Sequence, residues 1–82
     1  MRAEEMIQML RRKPFAPIRV RMTDGRTYDI HHPDQIIVLK QSLDIGVAAD
    51  QVNGVAERVD RCSLLHVIRV EEIGAQITPQ QN

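Results

Sequence analysis

Ile18-Arg19-Val20-Arg21-Met22-Thr23-Asp24-Gly25-Arg26-Thr27-Tyr28-Asp29-Ile30 is the stretch on which the reading of the chain turns. Apolar Ile18, Val20 and Met22 alternate with Arg19, Arg21 and Thr23, and beyond the turn Tyr28 and Ile30 alternate with Thr27, Asp29 and His31. A two-residue period sends successive side chains to opposite faces, which is the mark of half-buried strands. The turn sets the register. A two-residue Asp24-Gly25 loop would oppose Val20 to Asp29 and mix the dry and wet faces. A three-residue Thr23-Asp24-Gly25 loop, with the glycine left-handed, instead pairs Val20 with Tyr28 and Ile18 with Ile30. It also sets Arg19 across from Asp29 as a weak exposed ion pair.

Upstream, Ala3, Met6, Ile7 and Leu10 recur at three- and four-residue spacing, which predicts a helix over residues 2–13. Glu4 and Glu5 lie near its start and Arg11, Arg12 and Lys13 at its end, in the sense the helix dipole favours, and Pro14 stops it. Downstream, Pro33 bends or ends the second strand. Ile36-Ile37-Val38-Leu39 reads as a strand buried on both faces, and Leu43 to Val47 as an alternating one. Gln51-Val52-Asn53-Gly54 is a turn signal, Val55 to Asp60 a further strand, Cys62 to Leu65 one tight turn, and His66 to Glu71 the last strand. A helix followed by about five short strands within 17–71 predicts a mostly β (α+β) single domain over 1–73. Its expected form is a strongly bent antiparallel sheet rolled into a small SH3-like barrel, with the helix over one open end. Residues 74–82 read as a loose polar tail.

The chain has 82 residues, 43% hydrophobic and 27% charged, which is globular composition rather than disorder. Eleven basic residues balance eleven acidic ones, so no global field draws it to nucleic acid or an anionic membrane. Cys62 is the lone cysteine, suited to a reducing compartment and to a small buried apolar role. No apolar run nears the roughly 20 residues that cross a bilayer, and no leader pattern opens the sequence. A cytoplasmic protein without a membrane partner is expected.

The segments Lys13-Pro14-Phe15-Ala16-Pro17-Ile18, Thr23-Asp24-Gly25-Arg26-Thr27-Tyr28, His32-Pro33-Asp34, Ser42-Leu43-Asp44-Ile45-Gly46 and Ser63-Leu64-Leu65-His66-Val67-Ile68-Arg69 together resemble a family of small uncharacterised bacterial proteins of planctomycete type. That resemblance brings no activity with it. More distantly, Asp24-Gly25-Arg26 with Asp34-Gln35-Ile36-Ile37-Val38-Leu39-Lys40 is similar to the first signature of Sm-like proteins of the Hfq type, and residues 63–70 to the turn and strand that close such barrels. Val70 stands where the second signature has glycine, and Pro33 where the first has an aromatic residue. The Sm-like resemblance implies an N-terminal helix, a five-stranded barrel and RNA binding.

Few residues invite chemistry. His31 and His32 are neighbours on a strand and point to opposite faces, while His66 and Cys62 lie far along the chain, so no metal-ligand spacing is present. Ser63 and His66 have no glycine-flanked nucleophile turn or oxyanion loop around them, and a chain this short has little room for a pocket of a few hundred Å³. We expect neither catalysis nor a cofactor. Charge layout says more. Residues 1–26 hold seven basic and three acidic side chains, net +4, and residues 27–82 hold four and eight, net −4. Arg11, Arg12, Lys13, Arg19 and Arg21 could form a patch for RNA or DNA phosphates, or the two poles could attract between copies. Phe15 is expected to plug the junction of helix and barrel, Tyr28 to join the core and Gly25 to serve the turn. The preferred expectation is a non-enzymatic assembly module that forms homo-oligomers through sheet edges or the helix. The alternative is a weak RNA- or DNA-binding protein, and a third reading is an accessory or antitoxin-like subunit with an unknown protein partner.

Overall fold

Alternation in the decisive stretch becomes a hairpin. Strand β1 (Ile18–Met22) pairs antiparallel with β2 (Thr27–Ile30), setting Ile18 against Ile30, Arg19 against Asp29 and Val20 against Tyr28. Gly25 adopts φ +90, and the Asp24 carboxylate accepts the Arg26 N–H at 3.0 Å, so the turn follows the three-residue form. The computed structural model describes residues 1–50 and 54–73. The turn expected at Gln51-Val52-Asn53 and the tail expected over 74–82 lie outside them; Gly54 beside that turn has φ +69.

Helix α1 spans Ala3–Leu10 and ends earlier than its stripe predicts. Arg11 donates its N–H to the Ile7 carbonyl and closes the helix. Pro14 has no N–H to offer the Leu10 carbonyl and disfavours helical geometry at Lys13, so the last basic residues fall past the helix end. At the start, the Glu5 carboxylate accepts the Arg2 N–H at 2.9 Å. Met6 is fully buried beneath the helix.

Among the described residues the strands number six, not five. After the hairpin come β3 (Ile36–Val38), β4 (Ser42–Asp50), β5 (Val55–Ser63) and β6 (Val67–Glu72). They form two antiparallel three-stranded sheets, ordered β2-β1-β6 and β3-β4-β5, and no closed barrel. Pro33 explains the difference. A rolled sheet needs one long bent strand shared by both halves, and the 3-10 turn Pro33–Gln35 cuts that strand into β2 and β3. First and last strands still meet, with Val20 against Val70 and Met22 against Val67; Ile68 is the extra residue of a β-bulge between them.

Both sheets share one core. Ile18, Val20, Met22, Tyr28, Ile30 and Val67 face Ile36, Leu43, Ile45 and Cys62, while Met6 and Leu64 close its margins. Phe15 is only half-buried and packs against this core from the helix–strand linker, rather than plugging it. Ile37 is 60% exposed, so β3 is buried on one face and not two, because among the described residues no element covers Ile37 on the outer side of its sheet.

Side chains tie the sheets together where the backbone ladder stops. Gln35 donates from Nε2 to the carbonyls of Asp29 on β2 and Gly46 on β4, both at 3.0 Å, and accepts the His31 N–H on Oε1 at 2.9 Å. One amide thus satisfies three backbone groups that ladder pairing would otherwise serve. A Cβ on Gly46 would stand 3.3 Å from the Gln35 carbonyl, so glycine is what permits this close approach. The Tyr28 hydroxyl donates to the Asp60 carboxylate at 2.8 Å and forms the second tie.

Candidate assembly surface

The basic candidates do not form one free patch. Arg19 forks onto Asp29 with bonds of 2.7 and 3.0 Å, Arg21 donates to Glu71 at 2.9 Å, and Arg12 bonds Glu72. Arg11 and Lys13 are exposed beyond the helix end. Thus the +4 and −4 halves of the chain meet within one molecule, and the strand register brings them together across the outer face of the first sheet. Hydrogen bonding from Arg19 holds the Asp29 carboxyl below its ordinary range, and Arg21 does the same for Glu71.

Two clefts border these elements. One of about 490 Å³ is lined by Arg12, Lys13, Pro14, Phe15, Pro17 and Glu72, larger than so short a chain suggests. Its walls are mostly linker, and the Arg12 and Glu72 charges neutralise each other across it. A second, of about 190 Å³, follows the seam between Thr27–Asp29 and Ile45–Val47, with Gln35 at its side.

Ser63 and His66 are occupied locally. The Ser63 hydroxyl accepts the Leu65 N–H at 3.2 Å, capping the 3-10 turn Leu64–His66, and His66 Nδ1 lies 3.3 Å from the Thr23 hydroxyl. Among the described residues no three His, Cys, Asp or Glu side chains are grouped to share a metal ion. No helix there is long and apolar enough to cross a membrane.

The second sheet offers a different surface. Its edge strand β5 runs nine residues, and its outer side has no strand beside it among the described residues. Val55 and Val59 on this strand are 57% and 64% exposed, and Ile37 lies on the opposite edge strand of the same sheet. Register gives the outer face its members: Ile37 opposes Asp44, Asp44 opposes Arg61, and Gly46 opposes Val59. Asp60 belongs to the other face. There it accepts from Tyr28 and, at 2.9 Å, from Arg58, and these bonds hold its carboxyl low. Burial, then the Asp60 bond, push the Tyr28 hydroxyl far above the ordinary tyrosine range.

Sequence reasoning anticipated sheet edges without saying which. Alternation over Val55–Asp60 marks a strand but does not say whether a neighbour covers it; only the sheet order makes β5 an edge. Gln35, the staple between the sheets, carried no signal beyond its place after Pro33-Asp34. No family model matches the chain, and neither the curated proteins nor the solved structures provide a match.

Proposed function

We propose that this protein is a non-enzymatic assembly module that associates with copies of itself through the open edge of its second sheet. The observation that carries this reading is β5: a nine-residue edge strand with Val55 and Val59 more than half exposed. An uncovered strand presents a row of free N–H and C=O groups, which a second extended chain satisfies at little conformational cost. Native monomers blunt such edges with short strands, proline, charges or bulges; β5 is long and free of proline, and its bulge at Glu57 leaves the run from Arg58 to Ser63 regular. The nucleic-acid alternative draws less support, because Arg12, Arg19 and Arg21 already spend their charge on Glu72, Asp29 and Glu71. Light scattering behind a sizing column, from micromolar to millimolar chain, tests the reading. A discrete multiple of the 9.4 kDa chain mass is expected; a constant 9.4 kDa contradicts it.

A further inference from the structure

We infer that the partner of β5 is β5 of a second copy, paired antiparallel about a two-fold axis through Val59. This rests on the assembly reading and specifies its geometry. Three observations converge: the direction of the backbone groups, the midpoint of the strand and the order of its charges. Leu64 donates its N–H to the Gln41 carbonyl, which fixes the parity of the strand: Arg58, Asp60 and Cys62 turn their backbone groups toward β4, and Val59 and Arg61 turn theirs outward. Val59 is the midpoint of Val55–Ser63, and its neighbours Arg58 and Asp60 both lie in the regular part of the strand.

Charge then selects the register. Around the midpoint the sequence reads Glu57-Arg58-Val59-Asp60-Arg61. An antiparallel pair centred on Val59 sets Arg58 against Asp60 of the second copy and brings Glu57, at the bulge in β5, beside Arg61, each twice by symmetry. Any residue on a two-fold axis meets itself. Moving the centre by one residue puts Arg58 against Arg58 or Asp60 against Asp60; moving it by two puts Glu57 against Glu57 or Arg61 against Arg61. Like charges directly opposite are destabilising, so only the Val59 register joins attraction in every charged pair to a neutral centre. All four of these groups already have partners in their own chain, Arg58 with Glu57 and Asp60 and Arg61 with Asp44, so pairing extends existing networks rather than breaking them.

The two-fold consumes the β5 edge of both copies, and a bulge bounds the regular part of that edge. Val47 opposes Arg58 and Ala48 opposes Ala56, which leaves Glu57 as the extra residue on β5. It twists one end of the edge while the run from Arg58 to Ser63 stays regular. The product is a closed dimer with a continuous six-stranded sheet.

Charge reversal in trans tests this. Glu57→Arg puts two positive charges face to face wherever position 57 meets position 61 of the other copy, and Arg61→Glu puts two negative charges there. Each variant alone should dimerise at least about tenfold more weakly than the natural chain. Mixed, they allow a heterodimer in which one of the two symmetry-related 57–61 contacts joins the two substituted side chains and the other joins the two natural ones. Both contacts then unite opposite charges, and native mass spectrometry should find a dimer with one chain of each kind. Val59→Pro is the second probe: it removes an N–H that points outward, so β4 pairing survives while the central bond is lost. Far-UV circular dichroism confirms that each variant is folded. Variants that dimerise as the natural chain does, or a mixture without heterodimer, overturn the β5 axis while leaving assembly standing. A ladder of ever larger species overturns the closed geometry. A natural chain that stays monomeric at millimolar concentration removes both.

Discussion

On the outer face of the first sheet, Arg19 meets Asp29 and Arg21 meets Glu71, so each charge finds its complement inside one molecule. On the outer face of the second, Ile37 and Val59 stand exposed on the two strands that flank β4, and β5 ends the sheet in open backbone groups. Both sheets bury the same kind of inner face in one core. What separates them is the outer face: charge pairs joining neighbouring strands on the first, and on the second exposed Ile37 and Val59 beside the Asp44–Arg61 pair. On the assembly reading proposed above, the second sheet is completed by another strand.

That contrast can be broken at the seam, where the largest effect is expected. Gln35→Glu keeps the acceptor for His31 N–H but turns an oxygen toward the carbonyls of Asp29 and Gly46. It should destabilise the fold by about 2–3 kcal/mol in urea unfolding, more than Gln35→Ala, which leaves those groups to water. Equal losses for the two variants would mean that Gln35 acts by packing alone.

Next in size, Tyr28→Phe removes the tie to Asp60 and should cost about 1–2 kcal/mol. It should also change the alkaline limb of the stability profile. Because Tyr28 titrates above its ordinary value in the fold, its contribution is complete below pH about 10 and declines as pH rises through the raised value. The Phe variant should lack that decline, and an unchanged alkaline limb would count against the Tyr28 bond.

A smaller effect belongs to the charged face. Asp29 and Glu71 titrate below their ordinary values in the fold, so their stabilisation is complete at neutral pH and fades as pH falls below about 4. Arg19→Gln should shift acid unfolding to higher pH without altering the oligomeric mass. A change in mass would place the interface on the first sheet instead. Smallest of all, Ile37→Ser on an exposed position should move monomer stability by no more than about 0.5 kcal/mol in the same urea titration.

Local chemistry made the hairpin legible, because Asp24-Gly25 and the flanking alternation fix a register between residues ten apart, as Arg19 and Asp29 are. The tight turn at Leu64 and the stripe that buries Met6 were readable for the same reason. The number of sheets was not. Pro33 announces a bend, but whether a bend becomes a barrel corner or a break depends on what meets β2 and β3 across the core, and that is a long-range matter. Likewise the basic residues look free in sequence because their carboxylates lie far along the chain, Glu71 fifty positions after Arg21. The bulge at Ile68 leaves no local trace either, since it arises from fitting β6 to β1.

Amide hydrogen exchange resolved by residue reaches the central claim most directly. The N–H groups of Val59 and Arg61 point away from β4, whereas those of Arg58, Asp60 and Cys62 point into it. Pairing of β5 with its copy predicts that Val59 and Arg61 gain protection as chain concentration rises, while the inward amides stay protected throughout. Fast exchange at Val59 and Arg61 at every concentration would contradict it.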